Sequence, residues 1–148
     1  MTEVSYDAAW RPVCTAVRMN PATFTATAGV AIQPAGGADT GACARTDGGG
    51  SYGPDRITFT RYDDAGRVRE VKRAYGTGLV YSYARYTYSS NGLKTSELDG
   101  DGNRTQYVYD GFDRLQFLYY PTLTGPKGDS DPDNPGVGVN SNDFEQFG

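Results

Sequence analysis

Residues 56–120 read RITFTRYDDAGRVREVKRAYGTGLVYSYARYTYSSNGLKTSELDGDGNRTQYVYDGFDRLQFLYY, and one short phrase recurs inside them. A β-rich run closes on a tyrosine, a polar four-residue turn follows, and a second run opens with a basic residue at or near its start. The tyrosines are Tyr62, Tyr88 and Tyr109; the turns are Asp63-Asp64-Ala65-Gly66, Ser89-Ser90-Asn91-Gly92 and Asp110-Gly111-Phe112-Asp113. A further turn, Asp99-Gly100-Asp101-Gly102, falls between the last two. Self-similarity at a short interval marks a repeat architecture.

The runs at 56–62, 80–88 and 103–109 are rich in Tyr, Thr, Val and Phe, residues that suit a pleated, half-buried surface. In Ile57-Thr58-Phe59-Thr60 large apolar and hydroxyl residues alternate, the period of a strand with one face inward. Gly, Asn and Asp in the turns accept the positive φ that tight hairpins require. The expected fold is therefore all-β, a meander of antiparallel hairpins. Such a pattern specifies a scaffold and carries no catalytic signature.

Tyr62-Asp63-Asp64-Ala65-Gly66-Arg67-Val68 resembles the YD repeat of the Rhs (rearrangement hot spot) family, Tyr-Asp-x-x-Gly-Arg followed by apolar residues. Tyr109-Asp110-Gly111-Phe112-Asp113-Arg114-Leu115 is similar, with Asp113 in place of the turn glycine. The segment from Tyr88 to Gly92 keeps Tyr and Gly but has Ser89 for Asp. Tyr6-Asp7-Ala8-Ala9-Trp10-Arg11-Pro12-Val13 is a further copy, with Trp10 where Gly is expected. A bulky residue resists positive φ, so this hairpin is expected to be rearranged or strained. The resemblance covers about half of the chain.

At 148 residues a single domain is the default. The hydrophobic share of 37% is low and the 20 Gly and 12 Tyr are many, which favours turns and sheets over a helical core. A net charge of −4 argues against nucleic acid or an anionic membrane as partner, because either would select a basic face. No apolar run approaches the ~20 residues of a membrane span. Met1-Thr2-Glu3-Val4 does not open like a signal peptide, so export would rely on a larger parent or another route.

Five segments follow in order: a first YD-like hairpin at 1–19, an Ala/Thr/Gly-rich insertion at 20–55, the repeat sheet at 56–120, an acidic Pro/Gly loop at 121–142, and the start of a further strand at 143–148. In the first, 11–20 reads as a strand with Val13, Thr15, Val17 and Met19 on one face; a short helix from Pro12 is the alternative, disfavoured by β-branching. Within the insertion, Thr23-Phe24-Thr25-Ala26-Thr27 and Gly29-Val30-Ala31-Ile32 form candidate short strands. Cys14 and Cys43 bracket most of it. Either they form a disulfide, worth about 3–4 kcal/mol for a loop of this length, or they are two buried thiols; an even count alone does not decide.

The chain has no histidine. Ser-His-Asp hydrolysis, histidine–metal centres and histidine general bases are thereby excluded within it. Metal sites want more ligands than two cysteines supply. The carboxylate pairs Asp63/Asp64, Asp99/Asp101 and Asp110/Asp113 sit at turn tips, where Asp caps backbone, rather than in a cleft that would set their pKa values apart. Gly76-Thr77-Gly78 and Gly48-Gly49-Gly50 lack the Lys-Ser/Thr ending of a phosphate loop. Asp99-Gly100-Asp101-Gly102-Asn103 and Asp129-Ser130-Asp131-Pro132-Asp133-Asn134 present alternating oxygens, but the first has Arg104 where a calcium loop needs Gly, and both read better as solvated turns. Asn103-Arg104-Thr105 fits a glycosylation acceptor that the turn already explains. No catalytic residue, cofactor or metal site is expected.

Tyr81, Tyr83, Tyr86, Tyr88, Tyr107, Tyr109, Tyr119 and Tyr120 define a candidate aromatic face, with Tyr81 and Tyr83 as its ligand-binding positions. Aromatic faces with polar rims take sugars or another protein surface, whereas cross-strand packing is the plainer role for most of them.

The Rhs resemblance implies more than a fold. Proteins of that family wind a long β-strip into a hollow shell around a toxin or other cargo polypeptide. Larger relatives act in bacterial secretion, insecticidal toxin complexes and animal cell adhesion, so an extracellular or cell-envelope location follows from the resemblance. This chain has too few strands to close such a shell, lacks the family's Asp-Pro-x-Gly-Leu boundary motif, and carries no recognisable toxin domain. The expectation is a non-enzymatic structural segment whose partners are copies of itself, or the remainder of a shell and its cargo. The runner-up is an autonomous carbohydrate- or cell-surface-binding module.

Overall fold

A computed structural model describes residues 1–21, 31–32, 41–44, 51–121 and 139–147. It is all-β. The strands are β1 (Thr2–Tyr6), β2 (Pro12–Val17), β3 (Ala31–Ile32), β4 (Arg56–Tyr62), β5 (Val68–Arg73), β6 (Tyr81–Tyr88), β7 (Lys94–Asp99), β8 (Arg104–Tyr109), β9 (Leu115–Pro121) and β10 (Val139–Gln146). They form one open sheet in the order β10-β9-β8-β7-β6-β5-β4-β2-β1-β3. Nine of these strands run antiparallel as a meander; β3 lies parallel to β1, with Ser5 opposite Ala31 and Tyr6 opposite Ile32.

The sequence sets this arrangement through its turns. Five-residue connections join β1 to β2, β4 to β5, β6 to β7 and β8 to β9, and a four-residue connection joins β7 to β8. Loops that short leave no path except reversal into the neighbouring strand. The strand at Val139–Gln146 opens inside the segment expected to be loop. Its pairing with β9, Phe144 opposite Tyr119 and Val139 opposite Pro121 across a register shift, supplies what local composition does not. Among the insertion's candidate strands, only Ala31–Ile32 falls on described residues; 23–27 and the acidic run at 129–134 lie outside them.

By contacts the chain divides into two units, residues 1–61 with 71–81, and residues 62–70 with 82–148. The first contains the larger apolar cluster: Cys14, Ala16, Ala42, Cys43 and Ile57, all at most 4% exposed, with Val13, Phe59 and Tyr75 against them. Phe59 and Tyr75 stack with centroids 4.8 Å apart. In β2 the buried side is Cys14 and Ala16, continued by Arg18, while Thr15 and Val17 are exposed. A Cys14–Cys43 disulfide, Cα–Cα 5.2 Å, ties the short 3-10 turn at Gly41–Cys43 to β2, and Ser5 Oγ accepts the Ala42 N–H at 2.8 Å. Arg18 completes the knot. It pairs with Glu3 at 2.6 Å and Asp55 at 2.7 Å and donates to the carbonyls of Gly41 and Ala44.

Among its described residues the second unit has almost no apolar interior. Its fully buried side chains are Leu98 and Ser96, each 1% exposed, beside Ala84, Arg85 and Glu70. Cross-strand pairing rather than a core must therefore supply most of its stability.

Candidate functional site

The repeated feature of the molecule is one turn used five times. In Asp7–Arg11, Asp63–Arg67, Ser89–Leu93, Asp99–Asn103 and Asp110–Arg114 the first residue's N–H donates to the fifth residue's carbonyl, at 2.8–3.0 Å. The fourth residue's N–H donates back to the first carbonyl, at 2.9–3.1 Å. That fourth residue has positive φ throughout: Trp10 60°, Gly66 82°, Gly92 86°, Gly102 81° and Asp113 61°. Register shifts at Ser5/Tyr6, Thr87/Tyr88 and Val108/Tyr109 identify the device as a turn closed by a bulge.

The residue types follow from this geometry. The Asp side chain caps the turn: Asp7 Oδ1 accepts the N–H of Ala9 and Arg11, Asp110 Oδ1 those of Phe112 and Arg114, and Asp63 Oδ1 that of Arg67. The fifth-position arginine then folds back, Nε to Asp Oδ2, at 2.7 Å for Arg11 and Arg67 and 2.8 Å for Arg114. In the Asp99 turn Asn103 Nδ2 takes the arginine's part, and in the Ser89 turn the hydroxyl Oγ accepts the Leu93 N–H. Asp99's two oxygens are thus engaged within its own turn.

Trp10 is not rearranged. It adopts the glycine-like conformation, a backbone cost of roughly 1–2 kcal/mol for a side-chain-bearing residue. Asp113 does the same; Asp tolerates that region better.

Two of the tyrosines that precede turns, Tyr88 and Tyr109, link neighbouring hairpins. Tyr88 Oη donates to the Val68 carbonyl at 2.6 Å and Tyr109 Oη to the Lys94 carbonyl at 2.9 Å. Val68 and Lys94 each directly follow a turn's fifth residue, so the two bonds are equivalent. Arg67 covers the Tyr88 ring at 4.6 Å and donates to the Ser89 carbonyl. Lys94 lies between Tyr86 and Tyr107, 5.6 and 4.7 Å from their centroids, and pairs with Glu97 at 2.8 Å. Asn91 reaches the Asp113 carboxylate at 3.0 Å. A cleft of about 250 Å³ between Asp63, Arg67, Arg69 and Tyr88 is polar-walled.

Titration behaviour agrees with a structural role. Backbone and side-chain hydrogen bonds from Arg67 hold the Asp63 carboxyl below its ordinary range, and those from Arg114 do the same for Asp110. For Asp7 burial alone would raise the value, but the bonds from Arg11 outweigh it and the net shift is downward. A general acid needs the opposite shift. Burial pushes the Tyr86 and Tyr88 hydroxyls up. Lys94 is raised: burial opposes this, and Glu97 and Tyr107 overcome it.

The eight tyrosines do not share one face. Along β6 Tyr81 and Tyr83 project to one side and Tyr86 and Tyr88 to the other, because successive strand residues alternate. Tyr107 pairs with Leu118, whereas Tyr119 pairs with Gln106 on the opposite face, where it packs with Phe117 and Phe144. Tyr81 and Tyr83 are 48% and 47% exposed. The buried Arg18 network is invisible to motif reading, since Glu3 and Asp55 lie far from Arg18 along the chain.

No helix among the described residues is long and apolar enough to cross a membrane. Compared with known proteins, the chain matches no family model and no curated protein.

Proposed function

We propose that this chain is a non-enzymatic structural segment of an Rhs-type YD-repeat β-shell, associating through the open edges of its sheet. The observation that carries this reading is the fivefold recurrence of one hydrogen-bonded turn. Its Tyr, Asp, Gly and Arg positions are the ones at which the sequence resembles the repeat, and the Asp–Arg caps and the Tyr88 and Tyr109 bonds support a structural task for them.

A strip made of such hairpins extends by addition of strands. Its margins are β3, two residues long, and β10, eight residues long. An edge as short as β3 blunts itself, while an eight-residue edge offers a template for pairing. The partner is accordingly a further copy, or the rest of a shell with its cargo. The Cys14–Cys43 disulfide supports an oxidising, extracellular or envelope setting.

Light scattering of the purified chain over a range of concentrations tests this reading. A mass that climbs with concentration, or a filament, is expected; a monodisperse monomer throughout would overturn it. One observation favours a second reading, a carbohydrate- or surface-binding module: Tyr81 and Tyr83 stand half-exposed on one side of β6. Glycan-array binding lost in Tyr81→Ala or Tyr83→Ala would establish that reading, and an array without hits would remove it.

A further inference from the structure

Arg85, in β6, is 8% exposed. Its Nε and Nη1 are buried and meet no hydrogen-bond partner among the described residues. A guanidinium cannot shed its proton in a protein, and a buried cation without counter-charge is strongly unfavourable. The position therefore requires an account.

Its surroundings provide one. Arg85 pairs with Leu98 and Leu98 with Arg104, and residues directly opposite one another share a sheet face. The two guanidinium-bearing positions thus flank Leu98 in one cross-strand row, roughly 10 Å apart at about 4.8 Å per strand. The next row on that face is Thr87, Ser96 and Gln106, all hydrogen-bonding side chains. The acids of these strands fall on the opposite face: Glu97 pairs across from Tyr86 and Asp99 across from Ala84. Glu97 holds Lys94 and Asp99 caps its own turn. Burial holds Arg104 below its ordinary value. The face is cationic and, on β6, β7 and β8, without a carboxylate.

We propose that this row is an oxyanion-binding site, with Arg85 as the anchoring donor and Arg104 as the second cation. Charge-assisted hydrogen bonds to a guanidinium are the strong ones, and shielding from water strengthens them further. A carboxylate carried by a second polypeptide and a free tetrahedral anion present the same chemistry. The site does not depend on the shell reading above, since it follows from one face of one unit.

The test uses the intact chain and three probes, sodium acetate, sulfate and phosphate, each against chloride at equal ionic strength. The Arg85 Nε–H resonance is followed by proton–nitrogen NMR, and the melting midpoint is compared with that of Arg85→Met. A saturable shift of that resonance is expected with at least one oxyanion, together with a midpoint rise about 2–4 °C larger in the unmodified chain than in the variant. Acetate as the effective probe identifies a carboxylate ligand; sulfate or phosphate without acetate identifies a tetrahedral anion. An unmoved resonance with all three, or equal midpoint changes in both chains, overturns the proposal. The NMR arm needs no variant and so stands if Arg85→Met does not fold.

Discussion

Two buried arginines separate the halves of this molecule. Arg18, 6% exposed, is saturated by Glu3, Asp55 and two carbonyls. Arg85, 8% exposed, has none of this at Nε or Nη1 among the described residues. The first lies in a unit locked by a disulfide and an apolar cluster. The second lies in a ladder of hairpins in which Leu98 is the one large apolar side chain under 2% exposed among the described residues. Similar burial of the same residue type therefore has opposite consequences. Among the described residues, the buried arginine of the first unit is satisfied within that unit, and that of the second has unmet donors at Nε and Nη1.

Removing each arginine breaks the comparison most directly. Arg18→Met leaves the fully buried Asp55 carboxylate without its cation and is expected to cost about 3–5 kcal/mol. Arg85→Met removes an unmatched charge and is expected to be neutral or stabilising by about 1 kcal/mol or more. Urea unfolding of both variants decides; equal losses would erase the distinction. Next in size is the Cys14–Cys43 disulfide, whose ends have a sequence separation of 29. Its removal by Cys14→Ala with Cys43→Ala is expected to cost about 3–4 kcal/mol, with hydrogen exchange rising in the first unit and little changed at β7 and β8.

The turns give smaller effects of both signs. Gly92→Ala places a Cβ 3.5 Å from Arg67 Nη1, an ordinary contact, so its cost is the conformational one, about 1–2 kcal/mol. Trp10→Gly and Asp113→Gly relieve the same strain and are expected to stabilise by up to about 1 kcal/mol, measured by thermal melts. Loss of stability on Trp10→Gly would assign the tryptophan a packing role that outweighs its φ.

Smallest is the acid response. Asp7, Asp63 and Asp110 titrate below their ordinary value in the folded chain. Their contribution is thus present above the unfolded value of about 3.9 and lost as pH falls through the lower folded values. Asp63→Asn with Asp110→Asn is expected to flatten stability against pH below about pH 4; an unchanged slope would show that these carboxylates do not sense folding.

Much of the repeat region at 56–120 was legible in advance. Alternation at Ile57-Thr58-Phe59-Thr60 and the Asp- and Gly-bearing turns locate β4 and its neighbours, since strand period and turn chemistry are local. Asp113 and Trp10 both take positive φ at the motif's fourth position; Asp tolerates that region, whereas for Trp10 residue type alone pointed to a rearranged or strained turn. The first unit was far less legible. Glu3, Arg18 and Asp55 meet only after folding, as do Ser5 and Ala42, and no local pattern encodes such meetings. The tyrosine face divides because strand parity, not residue type, decides which side a ring takes. Strand β10 opens at Val139, ahead of the further strand expected at 143–148, because its pairing with β9, rather than its polar sequence, makes that opening a strand.

On the reading proposed above, β10 recruits a further strand, whereas β1 and β2, which lie inside the sheet order, do not. Residue-resolved amide hydrogen exchange at two protein concentrations tests it most directly. Protection at β10 that rises with concentration, while β1 and β2 stay unchanged, is the predicted result. Exchange at β10 that does not depend on concentration would contradict the account.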